Sequence, residues 1–192
     1  VRSRRKFFAC GLILFSGVAV LVGTWIWYGN KYVHQHCIVQ APLALKLYSS
    51  EHAGKFPTST NGFGDALLML ARFDPTTLNC ICGPDDDGHL FKEALLNNTI
   101  VPEEKCSRVY VQGLTEADNP EICILFDRNS CRGGDHFRSP WGHPLREVVL
   151  ADGSWRQVRD EDWPEFSRKQ VGLLVAEGFS KTDALRFYPA AK

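Results

Sequence analysis

The feature that most constrains this chain is an uncharged run near its start. From Phe7 to Tyr28 the sequence FFACGLILFSGVAVLVGTWIWY holds 22 residues with no Asp, Glu, Lys or Arg. A helix rises about 1.5 Å per residue, so this length matches a hydrocarbon core of roughly 30 Å. Arg2, Arg4, Arg5 and Lys6 precede the run and only Lys31 follows closely, an asymmetry that keeps the N-terminus in the cytoplasm. Trp25, Trp27 and Tyr28 stand where an outer aromatic belt belongs. A cleaved signal peptide ends its apolar region at a small-x-small site, and bulky Trp25-Ile26-Trp27-Tyr28 fill that place instead. Cys10 is not a lipoprotein cysteine, because the apolar run follows it. The expectation is a single-pass membrane protein: a basic cytoplasmic segment over 1–6, an anchor in the lipid bilayer over 7–28, and the rest of the chain beyond it.

Beyond the anchor about 160 residues remain, the usual size of one domain. Lys plus Arg equals Asp plus Glu at 22 each, so summed charge provides no attraction to nucleic acid. Of the seven cysteines, six (Cys37, Cys80, Cys82, Cys106, Cys123 and Cys131) lie past the run, on the side that this topology makes oxidising. They are candidates for disulfides or for buried thiols, and spacing does not choose their pairing.

Apolar residues at Ile38, Ala41, Leu45, Tyr48 and His52, widened by Val39, Leu43 and Leu47, predict a helix over 32–53 that Gly54 terminates. Pro42 inside it demands a kink or a new helix start near Ala41. Residues 65–72 predict a short helix that Asp74-Pro75 ends, and 90–96 another. Strand patterns follow over 108–112, 122–126, 147–151 and 155–158, the last two joined by a two-residue turn at Asp152-Gly153. Acidic residues before Trp163-Pro164 open a helix over 163–177, and Ser180 caps a final one reaching Phe187. The fold class is α+β: the membrane helix continues into a juxtamembrane helix packed on a small antiparallel sheet, the domain running over 32–159 with a helical extension over 160–192.

This order resembles type IV pilins and the pseudopilins of type II secretion. Within Cys37 to Pro57 the residues Cys37, Leu43, Ala44, Leu45, Tyr48, Gly54, Phe56 and Pro57 are similar to the C-x-x-N-L-K-Q-I-G-L-A-L-x-x-Y-x-x-x-x-G-x-F-P segment of bacterial pseudopilin-like proteins. The strands at Val109 to Thr115 and Ile124 to Asp127 are similar to those preceding that family's His-x9-Asp-Gly segment. That segment is matched at Val148, Val149, Leu150, Ala151, Asp152 and Gly153, while His143 stands with eight residues between it and Asp152 where the family has nine. Lys6 to Leu14 lacks the Gly-Phe cleavage site and the glutamate of prepilins. The resemblance implies the fold and topology, a bacterial inner-membrane location with an extracytoplasmic domain, and action by contact with other envelope or pseudopilin-like proteins. It implies no enzyme activity, and the one cofactor it suggests is the loop calcium of the major secretion pseudopilins.

Several residue groups invite chemistry. Asp85, Asp86 and Asp87 before Gly88 offer oxygen ligands to calcium, although a calcium loop alternates its ligands and adjacent side chains diverge. His34, His36 and Cys37 suit zinc or copper by type, but residues two apart on a helix face different sides. Cys80 and Cys82 lack the second spacer of a redox C-x-x-C pair. His136 and His143, with Asp135 and nearby serines, would serve a membrane-tethered hydrolase or metal-dependent module, yet no G-x-S-x-G turn or phosphate loop accompanies them.

Overall fold

The structure is a computed structural model that describes residues 17–25, 38, 40–82, 88–132 and 143–188. The chain divides into two compact units, Val1–His34 and Gln35–Lys192. In the first, residues 17–25 form a helix whose described residues are all exposed. Nine residues of helix extend about 13 Å, and among the described residues no helix is long and apolar enough to cross a membrane. This corrects the expected anchor over 7–28, and with it the membrane-helix part of the fold and the single-pass inner-membrane location. An apolar composition sets only the solvent that a helix tolerates. Spanning also needs about 20 residues in one continuous helix. The rest of 7–28, the basic segment 1–6 and residues 26–37, where the membrane helix was to continue into the next, lie outside the described residues.

The second unit is α+β. Helix α1 covers 40–51, with Ile38 also helical. It buries Ile38, Ala41, Ala44, Leu45, Tyr48 and Ser49 along one stripe, the spacing expected of a helix with one face in a core. Leu43 and Leu47, expected to widen that stripe, point to solvent instead. The chain then turns at Ala53 and Gly54, and the Gly54 amide donates back to the Ser49 carbonyl at 2.8 Å. Helices α2 (Phe63–Phe73), α3 (Leu78–Ile81) and α4 (Gly88–Asn97) follow. The Glu103 carboxylate accepts from the Phe63 amide at 2.7 Å, placing negative charge on the positive end of α2.

The strands are β1 (Arg108–Tyr110), β2 (Cys123–Asp127), β3 (Cys131–Arg132), β4 (Pro144–Leu150) and β5 (Trp155–Arg159). All pairings are antiparallel. Val148 pairs with Phe126 of β2 and Arg156 of β5, and Leu145 with Cys131 of β3 and Arg159 of β5. β2 and β3 therefore follow one another along one edge of β4, and β5 takes the other. The sheet reads β1, then β2 with β3, then β4, then β5.

Because side chains alternate across a sheet, register decides what each face meets. Tyr110, Leu125 and Val149 share one face, where the Tyr110 hydroxyl donates to the Pro57 carbonyl at 3.0 Å. Phe126 and Val148 share the other, covered by α5 (Trp163–Ala176) and α6 (Lys181–Phe187). There Phe126 stacks on Tyr188 at 4.8 Å between centroids and meets Trp163 at 5.1 Å. Gln170 clamps the start of β2, accepting from the Cys123 amide at 2.8 Å and donating to the Glu121 carbonyl at 3.1 Å. Residues 160–188 are thus a second layer of the same core, with helices on both sides of the sheet.

Burial pushes the Cys123 thiol up to about 12 and raises the Tyr110 and Tyr188 phenols well above their ordinary value. In the unfolded chain these groups release their protons from about pH 9 to 10, while the folded chain retains them. Stability is therefore full below pH 9 and falls as pH rises, by about 1.4 kcal/mol per pH unit for each group titrating only in the unfolded state. Denaturant titrations between pH 8 and 11 should show this decline, and Tyr188→Phe should flatten it above pH 10 without reversing its sign.

Candidate interaction site

The Asp152-Gly153 motif sits at the end of β4, and its loop is one residue longer than the two-residue turn read from sequence. Leu150 donates to the Ser154 carbonyl at 2.8 Å, and Gly153 donates to the Leu150 carbonyl at 2.9 Å. The loop is therefore Ala151-Asp152-Gly153, a tight turn followed by a left-handed residue, and Gly153 has φ +87°. Ala151 still donates to the Ile122 carbonyl at 2.8 Å, so it belongs to the ladder and the turn at once. An apolar residue before Asp-Gly hides that extra position in sequence. The Asp152 carboxylate accepts from the Ser154 amide at 2.7 Å, and the hydrogen bonding from Ser154 holds its carboxyl below the usual value.

The loop tip packs on α1. A Cβ at Gly153 would come 3.0 Å from Lys46 Cε and 3.6 Å from Pro42 Cβ. Pro42, which by sequence demanded a kink or a helix start, is buried near the beginning of α1. Beyond this contact α1 shows solvent a face of Leu43, Lys46, Leu47 and Ser50, with Leu43 71% and Leu47 49% exposed. One turn separates the two leucines, so they form a small apolar ridge.

Inside the sheet lies a cluster that sequence reasoning missed. Arg108 is fully buried, its Nε donating to Asp127 Oδ1 at 3.1 Å, with Nη2 3.6 Å from Glu147 Oε2. Its Nη1 donates to the Cys80 carbonyl, and Asp127 Oδ2 accepts from the Glu147 amide at 2.8 Å. One guanidinium thus joins β1, β2, β4 and α3. With all three side chains closed to solvent, the cluster presents no substrate surface and acts in the fold. The available signal was a charge at the edge of each apolar strand: Arg108 before Val109-Tyr110, Asp127 after Leu125-Phe126, Glu147 before Val148-Val149.

The other sequence candidates scatter. His143 is exposed just before β4, at the opposite end of that strand from Asp152 and Gly153. Cys80, Cys82, Cys106 and Cys123 are buried, the Cys123 thiol donating to the Leu125 carbonyl at 3.6 Å. Cys131 lies in β3. Asp85, Asp86, Asp87, His34, His36, Cys37, Asp135 and His136 fall outside the described residues. Among the described residues no group of three or more His, Cys, Asp or Glu is arranged to hold a metal ion.

Set beside known proteins, the chain stands on its own geometry. It matches no family model, no curated protein and no solved structure.

Removing one partner of a buried ion pair costs about 3–5 kcal/mol, because the charge left behind is stranded. Arg108→Ala should therefore unfold or severely destabilise the chain in a denaturant titration, whereas a triple replacement of Arg108, Asp127 and Glu147 by apolar residues should recover part of the loss. Gly153→Val should cost about 1–2 kcal/mol through its positive φ, since the flexible end of Lys46 can move aside.

Proposed function

We propose that this chain is a pseudopilin-like structural protein that works by protein–protein contact, with the exposed face of α1 as its docking surface and another pilin-type subunit as its partner. The observation that supports this reading is the meeting of α1 with the Asp152-Gly153 loop. The two stretches that resemble pseudopilins, 37–57 and 148–153, lie far apart in sequence and come together at Pro42, Lys46 and Gly153. The loop braces α1 at Pro42 and Lys46, and the ridge of Leu43 and Leu47 faces outward beside it. Isolated exposed leucines are ordinary, but two on adjacent turns of a braced helix provide an anchor for a partner helix at little cost in ordering. The charges in the core are used by the fold, and His143 is exposed, with no metal-holding group of His, Cys, Asp or Glu among the described residues. These features favour contact over catalysis.

A photo-crosslinking residue at Lys46, introduced into the chain in its native cells, tests the reading. The expected product is an adduct with a protein of pilin-type sequence. Changing both Leu43→Asp and Leu47→Asp should reduce the adduct about tenfold, as loss of an apolar anchor does, while the melting temperature shifts by only about 2 °C. An absence of adducts, or adducts indifferent to the two substitutions, would sink the proposal.

A further inference from the structure

Strand β5 closes one side of the sheet, and among the described residues it pairs with β4 alone. Which of its backbone groups face outward follows from the ladder. Leu150 donates to Ser154 and Asp160 donates to Pro144, so residues 154, 156, 158 and 160 turn their amides and carbonyls toward β4. Trp155, Gln157 and Arg159 turn theirs away. Their side chains are exposed, Trp155 at 37%. Beside this edge a groove of about 460 Å³ runs between β5 and α5, bordered by Arg156, Asp162, Glu165, Phe166 and Lys169.

Natural sheets protect such an edge with charge, and Arg156 and Arg159 would repel a basic strand laid against it. The groove, however, carries both signs. Glu165 and Lys169 are four residues apart on the exposed face of α5, and Arg156 lies over the Phe166 ring at 5.2 Å. A uniformly acidic or basic partner would meet repulsion somewhere along that row. A surface whose signs reverse under a two-fold rotation is complementary to itself.

We propose that β5 is the seam of a two-fold homodimer, in which the strands of two copies pair antiparallel about Gln157 and make one continuous sheet. In that register Gln157 faces Gln157 of the second copy, their amides able to bond across the axis. Trp155 faces Arg159 of the second copy, a cation beside an indole, and Arg156 faces Val158, so no two like charges stand directly opposite. The same rotation runs the two α5 helices past each other in opposite directions, setting Glu165 against Lys169 of the second copy and the reverse. Lys169 is held at present by Glu121 at 2.6 Å and Arg159 by Glu161 at 3.1 Å, pairs exposed enough to exchange partners at little cost. The contact does not depend on the pseudopilin-like reading and is tested apart from it.

Sedimentation equilibrium of the full chain from about 1 to 100 µM, the range of weak specific interfaces, should show conversion from the 21.6 kDa monomer to twice that mass. Gln157→Pro removes an outward amide and spares the ladder to β4, so it should abolish the dimer with the monomer still folded by circular dichroism. Glu165→Lys and Lys169→Glu, singly, should each weaken association about tenfold by turning two symmetric attractions into repulsions. Combining them should restore it to within about threefold, and this exchange decides the matter even if Gln157→Pro does not fold. A chain that remains monomeric throughout, a dimer indifferent to Gln157→Pro, or a double reversal no better than the single ones would overturn the proposal.

Discussion

Everything in the larger unit is arranged around the charge of Arg108. A guanidinium closed off from water must be given acceptors by its surroundings, and here Asp127, Glu147 and the Cys80 carbonyl supply them from three different segments. Meeting that demand sets the register of β1 on β2 and of β2 on β4 together, since a one-residue slip of any of these strands would turn its charged side chain to the opposite face. It also holds α3 down on the sheet. Such a cluster contributes little net stability compared with an apolar core of the same shape. Its value lies in specifying one arrangement, because every alternative strands a charge.

With the register set, the two faces of the sheet acquire different tasks. The face bearing Arg108, Tyr110 and Leu125 meets the earlier part of the chain, with the Tyr110 hydroxyl bonded to Pro57. The other, bearing Phe126 and Val148, meets the aromatic cluster of Trp163, Phe166 and Tyr188, and Arg146 caps that cluster with its guanidinium 4.6 Å from the Trp163 ring. Burial on both sides explains why β2 is apolar along nearly its whole length, whereas β5, at the edge, buries only Val158. It also explains where the surface is left for partners: the outer ridge of α1 and the outer edge of β5.

Much of this was legible in the sequence, because the dominant signals are local. The periodicity of α1, the acidic start of α5 with Pro164, the Ser180 cap and the alternation of the longer strands each follow from backbone geometry within a few residues. The Asp152-Gly153 turn was legible as a turn, though its third residue was not, since Ala151 has no turn chemistry of its own. The two-residue β3 was missed for the same reason: it is defined only by the strand it meets. The expected membrane helix over 7–28 was drawn from hydropathy alone, and among the described residues no helix is long and apolar enough to cross a membrane.

The sequence by itself thus determined the order and kind of the longer elements of the second unit and the positions where glycine must turn the chain. Tertiary structure alone decided which charges are buried, which leucines of α1 face outward, and that the last two helices close the sheet's second face. The physical reason is range. A cap, a turn or an amphipathic stripe is settled by neighbours a few residues away, while the partners of Arg108 lie 19 and 39 positions along the chain. Only folding brings them within reach of its guanidinium.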